Sequence, residues 1–95
     1  MTASASTLAH GATITFQYAT APATAGTKNW IGIYPTGVTP GTGESLTYQY
    51  APTTSGSLTF TTTAGSLANP GNYAAWYLLN DAYTVLAGPT PFTVT

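Results

Sequence analysis

Tyr73-Ala74-Ala75-Trp76-Tyr77-Leu78-Leu79 is apolar or aromatic at every position, and it lies between Pro70-Gly71-Asn72 and Asn80-Asp81. A strand with one wet face alternates polar and apolar residues, so a run of this kind reads as a central strand covered on both faces. Asn29-Trp30-Ile31-Gly32-Ile33-Tyr34-Pro35 is a second run with apolar residues on both faces. Simpler strands surround the two. Residues 12–18 place Ala12, Ile14, Phe16 and Tyr18 on one face and Thr13, Thr15 and Gln17 on the other. Residues 46–50 align Leu46, Tyr48 and Tyr50, residues 57–61 align Leu58 and Phe60, and residues 91–95 align Phe92 and Val94. A turn at residues 80–82 leads back through 83–87, and a short first strand covers 4–9. Pro, Gly and Thr fill residues 20–27, 36–45, 51–56 and 62–71, and they interrupt every stretch long enough for a helix.

The sequence Leu67-Ala68-Asn69-Pro70-Gly71-Asn72-Tyr73 resembles the corner of fibronectin-type and immunoglobulin-type sandwiches, where a tyrosine hydroxyl bonds back to the backbone. Tyr73 takes that role. The fold class is therefore all-β: an immunoglobulin-like (fibronectin-type) β-sandwich of about seven antiparallel strands. Its 95 residues make one module, residues 1–95.

Charge narrows the function. The chain is 43% hydrophobic and 3% charged, the reverse of a disordered composition. Its charged side chains are Lys28, Glu44 and Asp81, with His10 as the one imidazole. One lysine neutralises too few phosphates for nucleic-acid binding, and it makes no basic cluster for an anionic membrane. Without cysteine there is no disulfide framework and no thiolate metal site. A surface of Thr, Ser, Gly, Ala and Asn points to a secreted, extracellular protein. Met1 and the polar run after it read as the start of a module excised from a longer protein.

Two motifs carry a family resemblance. Asn29-Trp30-Ile31-Gly32-Ile33-Tyr34-Pro35 is similar to the D/N-W-I-G-I-Y signature of SKICH-like domains. The same signature occurs in the sandwich domain that precedes the catalytic domain of purple-acid-phosphatase-like metallophosphoesterases. Pro70-Gly71-Asn72-Tyr73, continued through Leu78-Leu79-Asn80-Asp81, resembles the end of those modules. The similarity spans residues 27–95. It implies an accessory domain in a larger secreted hydrolase or in a localisation module, and it implies no chemistry in this chain.

The residues lead to the same expectation of no catalysis. His10, the only candidate base, lies in an N-terminal segment ahead of Gly11 and reads as a surface residue. Glu44 lies in a glycine-rich loop, where solvation is the ordinary state of a carboxylate, and pairing with Asp81 for acid–base work is disfavoured. Asn80-Asp81 forms a turn in preference to a calcium site, which needs more carboxylates. An isopeptide through Lys28 would need that lysine buried. No cofactor and no metal are expected.

The aromatic residues supply the candidate site. With Tyr73 inward, alternation sends Ala75, Tyr77 and Leu79 inward and Ala74, Trp76 and Leu78 outward. Ile31 and Ile33 make the inward pair of their strand, which turns Trp30, Gly32 and Tyr34 outward. Trp30, Tyr34 and Trp76 then share an outer face with a flat gap at Gly32, and Asn80 and Tyr83 lie at its rim. Aromatic rings on a nearly uncharged surface suit stacking on sugars, with polysaccharide as the partner. Two alternatives stand beside this reading. The face docks on an adjacent catalytic domain in the parent chain, or the register is reversed and Trp30 and Tyr34 belong to the core.

Overall fold

The computed structural model describes residues 1–20, 28–62 and 69–95. Leu67, Ala68 and most of the expected loops over 20–27 and 62–71 lie outside the described residues. The described residues form eight strands: β1 (Thr2–Ala3), β2 (Thr7–Leu8), β3 (Thr13–Ala19), β4 (Trp30–Pro35), β5 (Thr47–Tyr50), β6 (Ser55–Thr61), β7 (Gly71–Leu79) and β8 (Thr84–Val94). They make two sheets, one ordered β1-β3-β6 and the other β2-β8-β7-β4-β5. The molecule is a β-sandwich.

The strands match the alternation of the sequence, with three differences. Of the expected first strand at 4–9 only Thr7–Leu8 is strand, as β2 on the five-stranded sheet, and β1 precedes that range on the other sheet. The segments expected at 83–87 and 91–95 are one continuous strand, β8. The count is therefore eight, and not all pairs are antiparallel, because β2 runs parallel to β8 with Thr7 opposite Thr93 and Leu8 opposite Val94. This parallel contact is closed by Thr93 N–H donating to the Ser6 carbonyl at 2.9 Å and Thr95 N–H donating to Leu8 at 3.0 Å.

The core lies between the sheets. Ile14, Phe16, Tyr18 and Phe60 come from the three-stranded sheet, and Ile31, Ile33, Ala75, Tyr77, Phe92 and Val94 from the five-stranded one. Aromatic rings bridge the layers. Phe16 meets Phe92 at 5.8 Å between ring centroids, and Tyr18 meets Tyr77 at 5.3 Å. Such pairs add about 0.5–1.5 kcal/mol each to the area they bury. Ile31, Ile33, Ala75 and Tyr77 face inward as the sequence predicts, so the reversed register does not occur. Leu79, also expected inward, is only half-buried, because β7 ends there.

Two local devices fix the five-stranded sheet. The register of β7 against β8 shifts around Tyr77. There Gly88, at φ +116°, brings β8 so close that a Cβ would stand 2.8 Å from the Ala75 carbonyl oxygen. Only glycine fits that backbone. The hairpin from β7 to β8 turns through Asn80 and Asp81, at φ +50° and +57°, and Ala82 N–H donates to Leu79 at 2.9 Å. Asn and Asp tolerate the left-handed conformation well, and these two residues open the four-residue loop that brings Thr84 opposite Leu79.

The Tyr73 hydroxyl donates to the Asn69 carbonyl at 2.5 Å, the corner tie expected from the sequence. Tyr73 also stacks on Phe92 with ring centroids 5.7 Å apart. Tyr73→Phe keeps the stacking and removes the tie. Urea unfolding should show a loss of about 1 kcal/mol with an unchanged slope, and an unchanged midpoint would deny the tie any role in stability.

Candidate functional site

The outer face of the five-stranded sheet is built by pairing. Trp30 lies opposite Tyr50 on β5 and Leu78 on β7, and Gly32 lies opposite Tyr48 and Trp76. Residues directly opposite across a ladder point to the same side. Trp30, Tyr34, Leu78 and Trp76 form an outer apolar cluster separate from the core.

This cluster is not an open platform. Trp30 is 7% exposed and Tyr34 is fully buried. The gap expected at Gly32 is filled by their rings, since a Cβ there would lie 2.6 Å from Trp30 Cζ3 and 3.0 Å from Tyr34 Cε1. The missing side chain lets both rings fold flat over the strand. The loop after β4 closes over them: Val38 packs on the cluster, and a Cβ on Gly41 would lie 3.6 Å from Tyr83 Cβ.

What opens to solvent is a tyrosine-lined cleft beside that cover. Tyr48 and Tyr83 are 53% and 56% exposed. Both rings stand nearly perpendicular to the Trp30 indole, at 77° and 74°, with centroids 5.8 and 6.1 Å away. Trp30 and Tyr34 thus line a cleft of about 520 Å³ between Tyr48, Tyr83 and Glu44. A smaller hollow of about 200 Å³ adjoins it, shares Trp30, Tyr48 and Tyr83, and reaches Tyr50 and Asp81.

Hydrogen bonds hold the frame. Trp30 Nε1–H donates to the Ala82 carbonyl at 3.1 Å, which locks the indole under the hairpin turn. Asn80 N–H donates to Oδ1 of the buried Asn29 at 3.0 Å, and Asp81 N–H donates to the Lys28 carbonyl at 2.9 Å. The turn is therefore pinned to the entry of β4. The Tyr50 hydroxyl donates to Asp81 Oδ1 at 2.8 Å, and Lys28 Nζ stands 3.8 Å from Asp81 Oδ2 and 5.7 Å from the Tyr50 ring centre.

The five residues singled out in the sequence separate into three places. Trp30, Tyr34 and Tyr83 meet in the cleft. Trp76 is half-buried and lines a different depression, of about 310 Å³, with Val38, Ala74, Pro89 and Pro91. Asn80 is exposed and serves the turn through its backbone. Tyr48, Tyr50, Glu44 and Asp81 belong to the site and were not singled out for it. The signal for the tyrosines was the shared face of Leu46, Tyr48 and Tyr50, which alternation reveals without naming its neighbour strand. The Lys28 side chain is 65% exposed, contrary to the burial an isopeptide needs. His10 is exposed in the turn before β3. Among the described residues, no group of three or more metal-ligating side chains converges.

Three tyrosines ionise above the ordinary range near 10. Burial pushes Tyr34 up, helped by nearby Tyr83; the Tyr50 value is raised first by its hydrogen bond to Asp81; burial raises Tyr77. Each favours the neutral phenol in the folded state. Their contribution to stability is therefore complete below about pH 10 and is lost as pH rises through the folded values. Absorbance titration should show late-ionising phenols, one fewer in Tyr50→Phe, with unfolding setting in as the last ones ionise. A single titration of all seven tyrosines near pH 10 would contradict these environments. Comparison with protein families, with curated proteins and with solved structures finds no match for this chain.

Proposed function

We propose that this domain is a non-catalytic, immunoglobulin-like accessory module of a secreted enzyme that binds polysaccharide in the cleft between Tyr48 and Tyr83. The strand order and the Tyr73 corner support the immunoglobulin-like reading. One observation carries the binding: two half-exposed tyrosine rings flank a fixed indole. Such rings present apolar faces to the C–H faces of a sugar, while Ser45, Thr47 and the phenol hydroxyls offer hydrogen bonds to its hydroxyls. Trp30 supports those rings and has little exposed surface of its own. The cleft is preorganised by the bonds to Ala82 and Asn29, so little ordering is needed on binding.

A second reading rests on the depression around Trp76. Its lining is mostly apolar, from Val38, Ala74, Pro89 and Pro91, and this suits packing against an adjacent catalytic domain in the parent chain.

Retention on insoluble glucans and chitin, with soluble oligosaccharides as competitors, separates the two. The module is expected to be retained. Tyr48→Ala and Tyr83→Ala should each weaken retention about tenfold with the β-sheet circular dichroism unchanged, and Trp76→Ala should bind like wild type. Absent retention, or retention indifferent to both tyrosines, would overturn the glycan reading.

A further inference from the structure

The cleft has a sign. Its lining includes Glu44, and Asp81 lies in the adjoining hollow, whereas no lysine or arginine lines either one. The two acids differ in what they already hold. Asp81 is committed on both oxygens, one to the Tyr50 hydroxyl and the other to Lys28. The Glu44 carboxylate has no hydrogen-bond or ion-pair partner among the described residues, and Lys28, the chain's one lysine or arginine, is engaged elsewhere. Glu44 is also exposed, so its charge is available at the mouth of the cleft.

A second observation points to a ligand in the same place. Tyr34 lines that cleft, and its hydroxyl, buried beneath the surface, has no hydrogen-bond partner among the described residues. A buried hydroxyl without a partner costs about 1–3 kcal/mol, and a polar ligand group that displaced the cover of the cleft floor would relieve that cost. The faces of Tyr48 and Tyr83 are negative and attract cations as well as the C–H faces of sugars.

We infer that the ligand is an amino sugar with a free, protonated amine, its ring held between Tyr48 and Tyr83 and its ammonium on Glu44. This rests on the glycan reading above and narrows it. Acidic polysaccharides are disfavoured, because a uronate or sulfate in the cleft would face Glu44, while Lys28 lies outside the cleft lining and is paired with Asp81.

Calorimetric titration compares a glucosamine hexamer, its N-acetylated counterpart and a lysine hexapeptide. The glucosamine hexamer should bind about fivefold tighter than the acetylated one, as one partly exposed ion pair supplies. High salt should shrink that ratio, and Glu44→Gln should bring the two to one affinity. Equal or tighter binding of the acetylated hexamer overturns the amine preference and leaves the glycan reading standing. Equal or tighter binding of the lysine peptide also overturns it, because charge alone is then recognised. If no sugar binds, both readings fall.

Discussion

The structure depends on one strand that is buried on both faces. β4 sends Ile31 and Ile33 into the core and Trp30 and Tyr34 to the other side of the sheet, and all four are shielded from water. Its ladders to β5 and β7 fix both sets at once, because a slip of one residue would exchange them. Such a slip would place two large rings among the close-packed aromatics between the sheets. Gly32 completes the arrangement, since any side chain there would lift the indole and the phenol from the strand. Core and cleft are the two faces of a single strand.

The cleft is then assembled from parts far apart in sequence. β4 supplies the floor, β5 supplies Tyr48, the turn after β7 supplies Tyr83, and the loop after β4 supplies Glu44. Buried Asn29 holds the turn by its amide oxygen, and Trp30 holds it by the indole N–H, so two successive residues at the entry of β4 position a hairpin fifty residues further on. Fixed backbone and side-chain polar groups do this without strong charges. The one ion pair among the described residues, Lys28 with Asp81, is exposed at the edge of the same assembly and adds little to stability.

Much of this was legible in the sequence. Alternation gave the inward set of β3, β4 and β7, and Pro70-Gly71-Asn72-Tyr73 gave the corner. Asn80-Asp81 gave the turn, since few other pairs accept two positive φ angles. The remainder depends on pairing and cover, which period two does not encode. Alternation shows that Tyr48 and Tyr50 share a face, but which strand lies beside them is decided by a long-range ladder. It turns Trp30 and Tyr34 outward, yet whether an outward ring is wet depends on the loop that crosses it. Likewise the seating of β1 on β3 and the parallel seating of β2 on β8, which joins the two ends of the sequence, rest on pairing that alternation does not encode.

The most direct test of the central claim uses the two indole N–H groups as reporters in a nitrogen–proton correlation spectrum, assigned with Trp76→Phe. Trp30 Nε1–H is bonded to Ala82 at the cleft, and Trp76 Nε1–H is buried away from it. Addition of soluble glucosamine oligomers should move the Trp30 signal, in a saturable way, and leave the Trp76 signal in place. Movement of Trp76 alone, or of neither, would contradict a ligand site built on the outer face of β4.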